Sequence, residues 1–75
     1  MTTGTHLEKR FGIVAVEKGF ITLDQLIQAL RIQIKEDLED LSKHRLIGEI
    51  LVELGFITPD QINEVLKVMG KPSDI

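Results

Sequence analysis

The chain has 75 residues, no cysteine and a net charge of −3 at pH 7. A domain of this size buries only about 60% of its unfolded surface, which leaves little room for an internal active site, and the lack of cysteine excludes disulfides and thiolate metal sites. We therefore predict one non-enzymatic domain over 1–75 without a cofactor. No apolar stretch approaches the ~20 residues of a membrane span, so we expect the protein to be cytoplasmic. Its negative net charge disfavours nucleic-acid binding.

The first predicted element is a helix at about 6–18. Thr5 and Glu8 have the spacing of a capping box at its start, and Leu7, Phe11 and Val14 occupy its inner side. His6 and the distant His44 have no neighbours at metal-ligand spacing, so the sequence predicts that both are surface residues.

A tight turn follows this helix. Gly19 stands where a helix ends in left-handed geometry, and Phe20 is the apolar residue that folds back on the last turn. Thr22 and Gln25 then have the T-x-x-Q spacing of a capping box, which starts the second helix.

The second helix is predicted at about 23–41 because its apolar residues keep three-and-four spacing. Ser42 is the expected cap of a third helix, which ends before Gly55, and a fourth helix is predicted at about 59–69. The tail, 71–75, is expected to be flexible. The apolar positions of the second helix are Leu23, Leu26, Ile27, Leu30, Ile34, Leu38 and Leu41.

The chain contains an internal repeat, since Gly12 to Leu30 returns as Gly48 to Leu66 with ten identities. This duplication predicts an all-α, small four-helix domain made of two tandem helix-turn-helix (αα-hairpin) repeats, at about 6–41 and 43–70. Gly12 and Gly48 fall inside helices, where glycine costs about 1 kcal/mol relative to alanine. Close helix approach is the favoured reason, and a ligand-facing backbone is the alternative.

The segment 34–44 leaves three apolar residues, Ile34, Leu38 and Leu41, in need of cover. The first interpretation is that the N-terminal part of helix one, with Leu7 and Phe11, covers them within the monomer. The second is a homodimer in which two such helices pair. The acidic residues of the segment are expected to form its solvated side.

The second copy, RLIGEILVELGFITPDQI at 45–62, resembles the N-terminal, MshEN-type domain of type II secretion and type IV pilus assembly ATPases. The resemblance covers about 10–69, and it implies a partner protein among secretion or pilus assembly ATPase components. Some members of that family bind cyclic di-GMP through a leading arginine, a glycine backbone and a closing glutamine. The matching residues of the first copy are Arg10, Gly12 and Gln33.

The second copy departs from this ligand motif. Leu46 and Met69 stand where the arginine and the glutamine belong, and Arg45 is displaced by one residue. The offset between copies is 36 residues, from Gly12 to Gly48, against about twenty-nine in the family, and seven residues are close to two helical turns. A two-lobed ligand site would be pulled apart by this insertion.

We therefore predict a protein-interaction or regulatory adaptor module. Its turns and acidic long helix are expected to contact a partner. A degenerate cyclic di-GMP sensor using Arg10, Gly12 and Gln33 is the alternative. A DNA-binding helix-turn-helix is disfavoured because the helix after the second turn offers phosphates only Lys67.

Overall fold

The computed structural model describes the backbone of residues 3–69 and the side chains of residues 8–69 except Lys43. Residues 3–69 form four helices: α1 (Thr3–Glu17), α2 (Leu23–Glu39), α3 (Ile47–Glu53) and α4 (Pro59–Met69), with a 3-10 turn at Leu41–Lys43. The described residues contain no strand, so the predicted all-α class is confirmed. Within residues 3–69, no helix has the length and apolar character needed to span a bilayer.

Three predicted helix boundaries were wrong. Helix α1 begins at Thr3, so Thr5 lies inside it and does not cap it. Helix α2 ends at Glu39, where the carboxylate of Asp40 accepts from the Ser42 N–H and starts the 3-10 turn. Ser42 therefore does not cap the third helix. Helix α3 begins at Ile47 instead, and the Glu49 side chain accepts from the backbone N–H of Leu46.

The side chains of His6 and Leu7, and the tail 71–75, lie outside the described residues.

The two turns have the predicted chemistry. Gly19 and Gly55 have φ of 79° and 81°, the left-handed region that glycine adopts without strain. The N–H of the residue after each glycine, Phe20 or Phe56, reaches back to the carbonyl five residues earlier at 3.0 and 2.9 Å, which completes a Schellman motif. Helices α1 and α3 therefore end in the same hydrogen-bonded turn.

Both capping boxes of the second and fourth helices are present. The Thr22 hydroxyl accepts from the Gln25 N–H at 3.1 Å, and the Gln25 side chain accepts from the Thr22 N–H at 2.9 Å. Thr58 and Gln61 make the same pair of bonds at 3.1 and 3.0 Å. The repeat thus conserves the geometry of the whole turn.

The helices pack mainly between the two copies. Helix α1 has its largest contact with α4, and α2 has its largest contact with α3, whereas α1 and α2 contact each other less. The buried apolar residues form one cluster: Phe11, Val14, Ala15, Ile21, Leu26, Ala29, Ile47, Ile50, Leu51, Ile57 and Val65. The two helix-turn-helix units therefore interlock around a shared core, and hairpin packing within each copy stays a prediction.

The repeated helix glycines make room for the start of the next helix. A Cβ at Gly12 would lie 2.6 Å from Leu26 Cδ1, and a Cβ at Gly48 would lie 3.6 Å from Ile62 Cδ1. Leu26 and Ile62 are equivalent positions, 36 residues apart. Close helix approach, the favoured reason for these glycines, accounts for both, but the approach is much tighter in the first copy.

We expect opposite outcomes from alanine at these two equivalent glycines. Gly48→Ala meets only ordinary van der Waals distances, so it should raise the free energy of unfolding by up to about 1 kcal/mol through helix propensity. Gly12→Ala should lose about 1–3 kcal/mol to overpacking against Leu26, which cancels or exceeds that gain. Urea denaturation of both variants measures the difference. Equal stabilisation by the two substitutions would contradict the tight approach at Gly12.

Candidate functional site

The three residues predicted to bind a cyclic dinucleotide do not line one site. Gly12 is covered by the Leu26 side chain, and Gln33 is 7% exposed inside the α1–α2 junction. Arg10 is exposed, and it lies two residues from both Glu8 and Gly12, which places it on the opposite side of α1 from the pair that faces α2. In this conformation one ligand cannot contact all three.

Gln33 has a structural environment of its own. Its side-chain amide Nε2 donates to Glu8 Oε1 and to the backbone carbonyl of Arg45 at 2.8 Å. An amide nitrogen has two hydrogens, so both are used. Gln33 joins α1, α2 and the segment before α3, and binding a ligand through this nitrogen would leave Glu8 Oε1 and the Arg45 carbonyl without this donor.

His44 bridges two carboxylates from different helices. Its Nε2 lies 3.0 Å from Glu8 Oε2, and its Nδ1 lies 2.9 Å from both oxygens of Asp37. A neutral imidazole has one N–H, whereas the imidazolium has two, so only the charged form donates to both partners. The hydrogen bonds to Glu8 and then to Asp37 raise the pKa of His44 above its ordinary value. His44 is at the surface, as predicted, with 37% of its side chain exposed.

Arg45 holds α2 and α3 together. Its Nε and Nη2 donate to the two oxygens of Glu36 at 3.0 and 2.7 Å, and its Nη1 donates to Glu53. This two-pronged arrangement is the strongest geometry for a guanidinium and a carboxylate, and the hydrogen bonds to Glu36 and then Glu53 raise the pKa of Arg45. The same interaction lowers the pKa of Glu36. The displaced arginine of the second copy is therefore occupied by two carboxylates.

We call these residues the polar junction: Glu8, Gln33, Glu36, Asp37, His44, Arg45 and Glu53. An open depression of about 410 Å³ lies beside it, lined by Glu36, Glu39, Asp40 and Arg45. Three of these four side chains are acidic, so the depression repels phosphate groups rather than attracting them. No group of histidines, cysteines and carboxylates among the described residues is arranged to hold a metal ion.

Sequence reasoning missed the polar junction, although one signal for it existed. Three of its members, Glu36, Asp37 and His44, belong to the segment that makes the repeat offset longer than the family's. That segment was interpreted as an extended helix with a solvated acidic side. The structure shows instead that two of its acids and its histidine tie the connection before α3 to both α1 and α2.

An apolar face of α2 is exposed along the whole helix. We define the α2 face as Leu23, Ile27, Ile34 and Leu38, whose exposed fractions are 60%, 40%, 57% and 83%. At 100° per residue these four side chains fall within a 60° arc. Leu41, just past the helix end, is 78% exposed.

The predicted intramolecular cover for this face is absent from the described side chains. Phe11, which was expected to pack over Ile34, Leu38 and Leu41, is 7% exposed and belongs to the core, where its ring lies against Gly48 of α3. Ile34, Leu38 and Leu41 are 57%, 83% and 78% exposed, so Phe11 does not cover them. Leu7, the other proposed cover, has no described side chain.

Comparisons with known proteins leave the family open. No protein-family model, curated protein or solved structure matches the chain.

We expect the stability contributed by His44 to depend on pH. Because its folded-state pKa is raised, the contribution is fully present below the unfolded pKa of about 6.5 and is lost as pH rises through the folded value. Wild type should therefore exceed His44→Gln in unfolding free energy at acidic pH, with the gap closing at alkaline pH.

Urea denaturation of both proteins across this range measures the gap. An NMR titration of the His44 ring gives its pKa directly. A midpoint at or below about 6.5 would show that the two carboxylates do not hold the imidazolium.

Proposed function

We propose that the chain is a non-enzymatic protein-interaction module that acts in the cytoplasm by docking a partner protein on α2. The observation that carries this proposal is the α2 face, where four large apolar side chains are 40–83% exposed on one side of the longest helix. Contiguous apolar patches of this extent mark interaction sites in soluble proteins. An amphipathic helix on the partner would fit, because its apolar side could lie along the stripe.

The polar junction supports this function by fixing α2 in place. Arg45 and His44 tie the C-terminal half of α2 to α3 and α1. A docking helix held from its opposite side loses little conformational freedom on binding, and pre-organisation of this kind lowers the cost of association.

The partner class comes from the sequence resemblance. Because the segment 45–62 resembles the N-terminal domain of secretion and pilus assembly ATPases, we propose a component of such an ATPase assembly as the partner. The chain would then act as an adaptor that brings the α2 face to that machine.

Capture from native lysate with matched variants tests the docking proposal. Leu38→Glu places a charge in the α2 face, whereas Gln28→Glu places the same charge on an exposed position outside it. Wild type and Gln28→Glu should both retain a secretion or pilus assembly component, identified by mass spectrometry, and Leu38→Glu should lose it. Retention of that component by Leu38→Glu, or no retention by wild type, would refute docking through this face.

The alternative, a degenerate cyclic di-GMP sensor, requires the junction to open. Arg10 is the one motif residue whose side chain is exposed, so it is the only one available to a ligand without rearrangement. We expect an amide NMR titration with cyclic di-GMP to give no saturable shifts at Arg10, Gly12 and Gln33. Saturable shifts there that Arg10→Ala abolishes would establish the sensor and overturn the adaptor proposal.

A further inference from the structure

The α2 face is large enough to form an interface. Together with Leu41, its side chains expose on the order of 600 Å² of apolar surface, at the upper end of what a monomer leaves uncovered. Two such faces would bury about 1,200 Å², the lower end of the range for specific protein interfaces. Covering this face with a second copy therefore meets the area that a stable dimer needs.

Part of the apolar spacing around the α2 face is symmetric about Ile34. Apolar residues stand four and seven positions before it, at Leu30 and Ile27, and four and seven positions after it, at Leu38 and Leu41. An antiparallel pair related by a two-fold axis at Ile34 brings Ile34 opposite Ile34, and Leu38 opposite Leu30, which is half-buried beside the core. A partner with an unrelated sequence would need no such symmetry.

The charges of α2 favour the same direction. After Ile34, α2 carries three acids, Glu36, Asp37 and Glu39, and the base Lys35, whereas before Ile34 it carries one acid, Asp24, and one base, Arg31. A parallel pair would place the two acidic ends side by side, where like charges repel. An antiparallel pair places the acidic end of one copy beside the half of the other copy in which Arg31 and Asp24 balance.

We propose that the α2 face pairs with the α2 face of a second copy, forming an antiparallel homodimer with its two-fold axis at Ile34. In this dimer Ile34 faces Ile34 of the second copy, and Leu38 faces the second copy's Leu30. The inference rests on the proposed function because it names the occupant of the docking face. A partner helix then binds by displacing the second copy.

Sedimentation of the purified full chain tests the dimer. Wild type and Gln28→Glu should sediment at twice the chain mass of 8.5 kDa at high micromolar concentration and dissociate on dilution. Leu38→Glu should sediment as a monomer, and its helical circular dichroism should equal that of wild type because Leu38 is 83% exposed. A wild-type monomer at millimolar concentration would overturn the proposal.

Cysteine cross-linking tests the direction and register. The chain has no cysteine of its own, so a single introduced thiol reports one position. Ile34→Cys should form a disulfide-linked dimer on mild oxidation, whereas Leu38→Cys, which faces position 30, should not. Equal cross-linking at both positions would indicate a parallel pair, and cross-linking at neither position would refute contact at this face.

The outcomes separate the dimer from the docking function. A monomeric wild type that still captures the assembly component through Leu38 refutes the dimer and leaves docking standing. A cross-linked dimer that captures no component establishes the homodimer and refutes docking of that partner.

Discussion

The fold depends on contacts between helices that belong to different copies of the repeat. Neither helix-turn-helix unit has a large contact within itself, since α1 packs chiefly on α4 and α2 chiefly on α3. The fully buried residues come from both copies, with Ala15 and Ala29 in the first and Leu51 and Val65 in the second. Among these fully buried residues the first copy supplies small side chains and the second supplies larger ones, a combination that allows close packing. Duplication thus produced two units that complete each other.

Local chemistry made the turns and the caps predictable. Gly19 and Gly55 need left-handed backbone, and Thr22 and Thr58 satisfy helix N–H groups with partners only three residues away. Because these interactions join residues only a few positions apart, their geometry can be predicted from the local sequence.

The polar junction and the exposed face could not be predicted in the same way. Glu8 meets Gln33 and His44 across 25 and 36 residues, and no periodicity encodes such pairings. The predicted start of α3 was wrong because Ser42, a residue type that often caps helices, lies in a 3-10 turn instead. Asp40 caps that turn by accepting from the Ser42 N–H. Phe11, one of the two residues expected to cover α2, lies in the core instead. The candidate ligand residues come from the family resemblance. In the structure, the Gln33 amide is hydrogen-bonded within the protein and the Leu26 side chain covers Gly12.

The pairing of α1 with α4 has a consequence for how the chain acquires its fold. Helix α1 leaves the ribosome before α4 and cannot bury its apolar side until α4 has also emerged, because α4 supplies its main contact. Contacts between distant segments must pay the entropy of closing the intervening chain before they are rewarded. During synthesis the apolar side of α1 therefore stays exposed until α4 is available. A translation pause before residue 59 would prolong the exposure of α1 to chaperones and proteases.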